Sequence, residues 1–215
     1  MLRSPKSRFL VMRAGIFLFC CMIQVALNAQ SISGVVNIYT AVTNITPNSV
    51  TVTSAAGFAS GDRVLLIQMK GATINQTNTA SFGQILNLGS AGNFEFTNIV
   101  SINANVITFA NTLCKPFSIP GKIQLIRVPV YNQATIIGTV SASPWNGTTG
   151  GVVAIEATSS LTFNSNIDVS GQGFLGGGFT SGFFACNDPN YASSGLSSGK
   201  KGEGIAIAPP NLDGN

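Results

Sequence analysis

The chain has 215 residues, with 11 Lys or Arg, 7 Asp or Glu and no histidine, and a formal charge of +4. Without histidine there is no Ser-His-Asp or Cys-His nucleophile site, no imidazole general base and no His-containing zinc site. Only 8% of the residues are charged, so solubility rests on Ser, Thr, Asn and Gly, which favour strands and turns over helix interiors.

Arg3, Lys6, Arg8 and Arg13 precede an apolar run from Ala14 to Leu27 that ends in Asn28-Ala29-Gln30. This layout predicts a signal peptide over residues 1–29, cut between Ala29 and Gln30. The run is too short to span a bilayer as a stable helix, so no membrane span is expected after cleavage. Those four basic residues leave with the leader and no acidic residue does, so the remainder is neutral. Its one adjacent basic pair, Lys200-Lys201, is no footprint for nucleic acid. Cys20 and Cys21 also leave, and Cys114 and Cys186 remain. In an oxidising exterior these two either close one bridge, adding on the order of 4 kcal/mol, or stand as two unpaired thiols.

Along the mature chain no stretch sustains apolar spacing at three and four residues, whereas two-residue alternation recurs, which predicts an all-β protein. Val50 to Thr53 alternates, Ala55 to Gly61 reads as a loop, and Val64 to Met69 is a continuous apolar strand entered through the Gly61-Asp62 turn. A second pass of the same design follows: Phe94 to Ile102, a tight connection at Asn103-Ala104-Asn105, Val106 to Phe109, and Ile123 to Val128 after Pro120-Gly121. Each pass leads into an Ile/Leu/Val strand marked by an arginine, Arg63 or Arg127, which suggests an internal duplication within a small barrel or sandwich over residues 30–131.

From residue 132 the texture changes. Ala134 to Val140 alternates, residues 143–149 (SPWNGTT) form a connection, and Val152–Ile155, Leu161–Phe163 and Ile167–Val169 read as three short strands. Strands this short and this closely spaced fit the start of a parallel β-solenoid over residues 132–174. Residues 175–215 are Gly- and Ser-rich with a hint of a strand at Gly204 to Ala208, and are expected to be either a mobile tail or a chain that continues further.

Among the carboxylates, Asp62 beside Gly61 reads as a turn former, and alternation between Phe94 and Phe96 puts Glu95 on the outer face of its strand. Glu156 and Asp168 share one solenoid-like rung and are the one pair worth testing for glycoside cleavage, which needs two carboxylates at a defined separation. Their simpler reading is two outward residues that keep a sheet soluble. No catalytic residue is assigned on this evidence. Asp168, Asp188 and Asp213 are oxygen donors without EF-hand or nonapeptide spacing, so no metal is assigned either. Gly171-Gln172-Gly173 and Gly176-Gly177-Gly178 open no helix, which excludes a dinucleotide loop, and no cofactor is expected. Trp145 is the candidate ligand-facing ring for a glycan, with Tyr131 and Tyr191 behind it. The alternative for Trp145 is a plug at the junction between the barrel and the first rung.

Three stretches carry a resemblance: Gly57 to Asn75 (GFASGDRVLLIQMKGATIN), Ile123 to Ala157 (IQLIRVPVYNQATIIGTVSASPWNGTTGGVVAIEA), and LTFNSNIDVSGQGF with its Gly-rich sequel and Gly199 to Ala206 (GKKGEGIA). They resemble the N-terminal region of large secreted, adhesin-like surface proteins of gliding bacteria, the cargo of type IX secretion. The resemblance implies an exported, outer-surface protein in which this region precedes further repeats and a C-terminal sorting domain. The expected function is therefore a non-catalytic structural or adhesion module with glycans or other surface proteins as partners. The alternative is part of a secreted solenoid polysaccharide hydrolase or lyase.

Overall fold

The computed structural model describes residues 29–178, 190–192 and 199–207. The expected leader up to Asn28, and Cys186, Asp188 and Asp213, lie outside the described residues.

The chain is all-β, as its composition predicts. Six strands close into a barrel: β2 (Ile38–Ile45), β3 (Ser49–Val52), β4 (Arg63–Gln68), β7 (Phe94–Asn103), β8 (Val106–Phe109) and β9 (Ile123–Val128). Their order around the barrel is β2-β3-β8-β7-β4-β9, with every neighbouring pair antiparallel. Exchanging β2, β3 and β4 for β7, β8 and β9 leaves this order of neighbours unchanged. The repeated strand-turn-strand pattern in the sequence thus corresponds to a two-fold arrangement of two three-strand units. Val50, Val64, Leu66, Ile99, Ile107 and Leu125 fill the interior. Between the two units a short arm, β5 (Thr73–Ile74) paired with β6 (Ile85–Asn87), leaves the barrel.

A second sheet is parallel, with order β1 (Gln30–Val35), β10 (Val130–Ser141) and β11 (Glu156–Phe163). Ile32 pairs with Ile136 and Ile136 with Phe163, so apolar residues line up from strand to strand. Ile32, Ala134, Ile136 and Val140 form its buried core. The barrel is an excursion of the chain between β1 and β10, which are neighbours in space. β1 lies in the parallel sheet, not in the barrel with which its sequence position groups it, and the expected boundary at Tyr131 falls inside β10.

Residues Val152–Ile155, expected as a strand, have no strand partner. They run between the two cores, with Val152 and Ala154 packed on the outer wall of the barrel beside Leu65, Ile126 and Val128, and Val153 and Ile155 packed on the parallel sheet. Side chains of the barrel and its entry supply the backbone partners. Gln124 bonds both the N–H (2.8 Å) and the C=O (3.0 Å) of Gly150, the Tyr39 hydroxyl donates to the Val152 carbonyl (2.6 Å), and Asn37 bonds both the N–H (3.0 Å) and the C=O (2.6 Å) of Ala154. The spacing of two matches an extended chain, in which every second residue faces the same side. Gly150 must be glycine: its φ is +104°, and a Cβ there would overlap the carbonyl oxygens of Ser143 and Pro144.

Asn37 is buried and also donates to the Arg127 carbonyl. Asn37→Ala leaves the amide and carbonyl of Ala154 unpaired in a site closed to water. It is expected to lower stability by about 2–3 kcal/mol, read by denaturant unfolding. A loss no larger than that of an exposed Asn→Ala change would show that water takes over these bonds.

Candidate functional site

The two carboxylates proposed as a pair stand apart. Glu156 begins β11 and Asp168 lies beyond its end, opposite Val140, so the length of β11 alone separates them by about 20 Å or more. Paired glycosidase carboxylates lie within about 10 Å of each other. Each is also engaged locally. Glu156 accepts from Arg63 Nε at 3.1 Å, an ion pair from β11 to the barrel. The Ser170 hydroxyl and amide hold the Asp168 carboxyl below the usual carboxylate range, the amide bond being 2.8 Å. Around Asp168, the residues Phe163, Asn164, Asn166, Ile167 and Ser170 line a shallow, open concavity at the end of β11.

The other described carboxylates are engaged in the fold as well. Asp62 accepts from the Ala59 amide (2.8 Å), as a turn former does, and also from Arg127 Nε (3.0 Å). Glu95 lies in the opposite phase from the one alternation predicts. Phe94 and Phe96 are 48% and 42% exposed on the outer wall, while Thr97 and Ile99 point inward. At the barrel mouth Glu95 accepts from the amides of Cys114 (2.9 Å) and Lys115 (3.1 Å). Two amide bonds to an ionised oxygen acceptor fix the phase that two phenyl rings would otherwise reverse.

Trp145 is 2% exposed, which gives it the burial of a plug rather than the exposure of a ring that stacks on a sugar. Its partners come from Phe174 and the Gly-rich region that follows it. The ring packs edge-on against Phe174 at 5.5 Å, and its indole N–H donates to Glu203 Oε2 at 2.6 Å. Glu203 also accepts from Lys70 Nζ (2.8 Å) and the Leu175 amide (3.3 Å). One carboxylate therefore joins the barrel side at Lys70, the connection at 143–149 and two described parts of the Gly-rich region, 175–178 and 199–207. A Cβ at Gly177 would overlap the Lys200 carbonyl oxygen, so this glycine serves close backbone approach. Of the tyrosines, Tyr131 packs on the parallel sheet and Tyr191 is exposed. Cys114 is exposed, with its thiol 3.7 Å from the Thr112 carbonyl.

Among the described residues no group of three or more His, Cys, Asp or Glu side chains gathers to hold a metal, and no helix is long and apolar enough to cross a membrane. Sequence reasoning passed over an exposed aromatic pair, Phe94 and Phe96, whose ring centroids are 6.2 Å apart. Lys115 Nζ lies 5.0 Å from the Phe94 centroid, and the Arg63 guanidinium 5.4 Å from that of Phe96. The signal that would have found the pair is the motif itself: in Phe94-Glu95-Phe96 only one phase can face the core, and Thr97 and Ile99 continue the phase of Glu95.

Burial pushes the Glu203 carboxyl up, but bonds from Lys70, the Trp145 indole and the Leu175 amide outweigh it and leave the group below its ordinary value of 4.5. A depressed folded-state value means the contribution is complete above the unfolded value and is lost as pH falls through the folded one. Glu203→Gln is expected to cost about 1–3 kcal/mol at neutral pH. Denaturant unfolding over a pH series should show this gap closing in acid. A gap independent of pH would place the stabilisation in shape rather than charge.

No protein-family model and no curated protein sequence matches the chain. Among solved structures it is similar in part to three phage tailspikes. The tailspike of Acinetobacter baumannii bacteriophage AP22, solved in complex with A. baumannii capsular saccharide, matches with a TM-score of 0.33 and 15% identity over 60% of this chain and 21% of the tailspike. The tailspike of Pseudomonas phage LKA1 matches with a TM-score of 0.29 and 13% identity over 67% of this chain and 24% of the tailspike. For the tailspike of Pseudomonas phage phi297 the values are 0.31 and 10%, over 53% and 18%. The chain thus spans less than a quarter of the length of each tailspike.

Proposed function

We propose that the chain is a non-catalytic structural or adhesion module of a secreted cell-surface protein, with β1, β10 and β11 as the first coils of a solenoid stalk and the barrel as a head mounted on it. The observation that carries this reading is the use of the charged groups. Each of the three ion pairs among the described residues, Arg63–Glu156, Lys70–Glu203 and Arg127–Asp62, ties structural elements together. Glu156 and Asp168, the pair a hydrolase or lyase would need, lie at opposite ends of β11. The in-register line of Ile32, Ile136 and Phe163 supports the solenoid reading: Ile32 and Ile136 are buried, Phe163 on the edge strand β11 is exposed, and a solenoid covers each coil's apolar residues with the next coil. Export rests on the basic and apolar leader before Gln30, the residue at which β1 begins. Assignment to type IX cargo rests on the resemblance of the three stretches named above. Glycans or other surface proteins are the partners this reading implies.

One experiment tests location and chemistry together. Cells expressing the chain are fractionated, the product is identified by mass and N-terminal sequence, and it is then incubated with a polysaccharide panel while reducing ends and unsaturated uronates are measured. The expected product begins at Gln30, sits in the envelope or medium, and releases nothing above the blank. A cytosolic product retaining Met1 would overturn export. Sugar release that falls about tenfold or more in Glu156→Gln or Asp168→Asn would overturn the non-catalytic reading.

A further inference from the structure

The outer wall of the barrel is covered where Val152 and Ala154 cross it and uncovered at β7, where Phe94 and Phe96 project. Single exposed apolar residues are ordinary on protein surfaces. This site differs because the two rings form an edge-to-face pair and each has a cation beside it. The two cations are not equivalent. Arg63 is held by Glu156 (3.1 Å) and donates through Nη1 to the Asn98 side chain (3.1 Å), so it is a fixed part of the wall. Lys115 is exposed and has no carboxylate within 4.0 Å among the described residues, because Glu95, which follows Phe94 on β7, is turned to the backbone amides of Cys114 and Lys115. The Lys115 ammonium therefore makes no ion pair among the described residues and stands over an exposed ring, with the Glu95 carboxylate bonded to the backbone amide of the same residue.

We propose that Phe94, Phe96 and Lys115 form a binding site for an acidic glycan, one whose sugar units carry carboxylates. The apolar C–H face of a pyranose packs against the exposed side of this pair, whose rings stand 82° apart with centroids 6.2 Å from each other. A uronate carboxylate meets Lys115, and ring hydroxyls reach the Asn98 amide and the Arg63 guanidinium at the border. The charge complementarity favours an anionic ligand over a neutral one, and the border of hydrogen-bonding groups favours a sugar over an apolar peptide. The outward placement of the rings follows from the opposite phase of β7, in which Thr97 and Ile99 are buried and Glu95 is held by the Cys114 and Lys115 amides. This assignment deepens the adhesion reading above and rests on it.

The test is calorimetric titration of the full chain with an oligogalacturonate hexamer and with the same hexamer after reduction of its carboxyl groups. The acidic hexamer is expected to bind, with affinity falling as salt rises, and the reduced one to bind about tenfold more weakly or not at all. Lys115→Gln and Phe96→Ala are each expected to weaken acidic binding by about fivefold or more with the unfolding midpoint retained. Lys115 is an exposed side chain, so its variant keeps the test valid if the phenylalanine change impairs folding. Equal affinity of both variants and the parent would overturn this site while leaving an adhesion module that binds elsewhere. Binding of neither hexamer, or equal binding of both, would overturn the acidic-glycan class. Neither outcome touches the solenoid stalk, which rests on strand stacking.

Discussion

An extended chain without a strand partner can lie between two hydrophobic cores only if something else bonds its backbone. Residues Gly150 to Ile155 meet that condition through Gln124, Tyr39 and Asn37, which reach alternate residues of the segment. Its side chains then divide by alternation, Val152 and Ala154 to the barrel and Val153 and Ile155 to the parallel sheet. The same six residues are thus the outer skin of one core and the cover of the other. Two of the clamps are amides that bond an N–H and a C=O of a single residue, which only Asn and Gln can do with one planar group. Replacing them with charged side chains, which only accept or only donate, would leave half of each pair open.

The ion pairs act on top of this wall. Exposed pairs contribute little stability on their own. Their value here is placement: Arg63 sets β11 against the barrel, and Glu203 gathers Lys70, Trp145 and Leu175 around one carboxylate. A chain with so few charged residues uses six of them in these three fasteners, and the surface between them mixes neutral polar side chains with exposed apolar ones such as Leu86, Phe94 and Phe96. Lys115 is among the lysines left outside these pairs, and the carboxylate nearest to it in sequence, Glu95, is held by backbone amides.

Much of the barrel was legible in the sequence because its strands depend on local pattern. Val64 to Met69 and Ile123 to Val128 are continuous apolar runs with inner and outer neighbours to pack on, and they pair side by side as β4 and β9. The repeated pass was visible as spacing and proved to be a two-fold order of strands. What was not legible depends on contacts far apart in the chain. β1 joins β10 across the whole barrel, and no short-range pattern in Gln30 to Val35 announces a partner a hundred or so residues away. Val152 to Ile155 alternates like a strand, and the side-chain clamps that replace a strand partner come from Asn37, Tyr39 and Gln124. Glu95 sits in the phase opposite to the one its phenylalanine neighbours suggest, because a carboxylate-to-amide bond across the fold holds it there, and the partners that bury Trp145, which are Phe174 and Glu203, come from later in the chain. The bulge between Ile99 and Ser101 also breaks the alternation of β7, so a single phase cannot be read across Phe94 to Ile102.

Native-state hydrogen exchange at Gly150 and Ala154 tests the central claim most directly, that the barrel and the parallel sheet share one rigid wall. Both amides donate to side chains rather than to a strand, so ordinary loop behaviour would let them exchange quickly. Protection comparable with that of β4 and β9 is expected at both amides, lost at Ala154 when Asn37 is replaced by Ala. Rapid exchange at both amides in the unaltered chain would contradict it, and would make the barrel and the sheet two bodies joined by a loop.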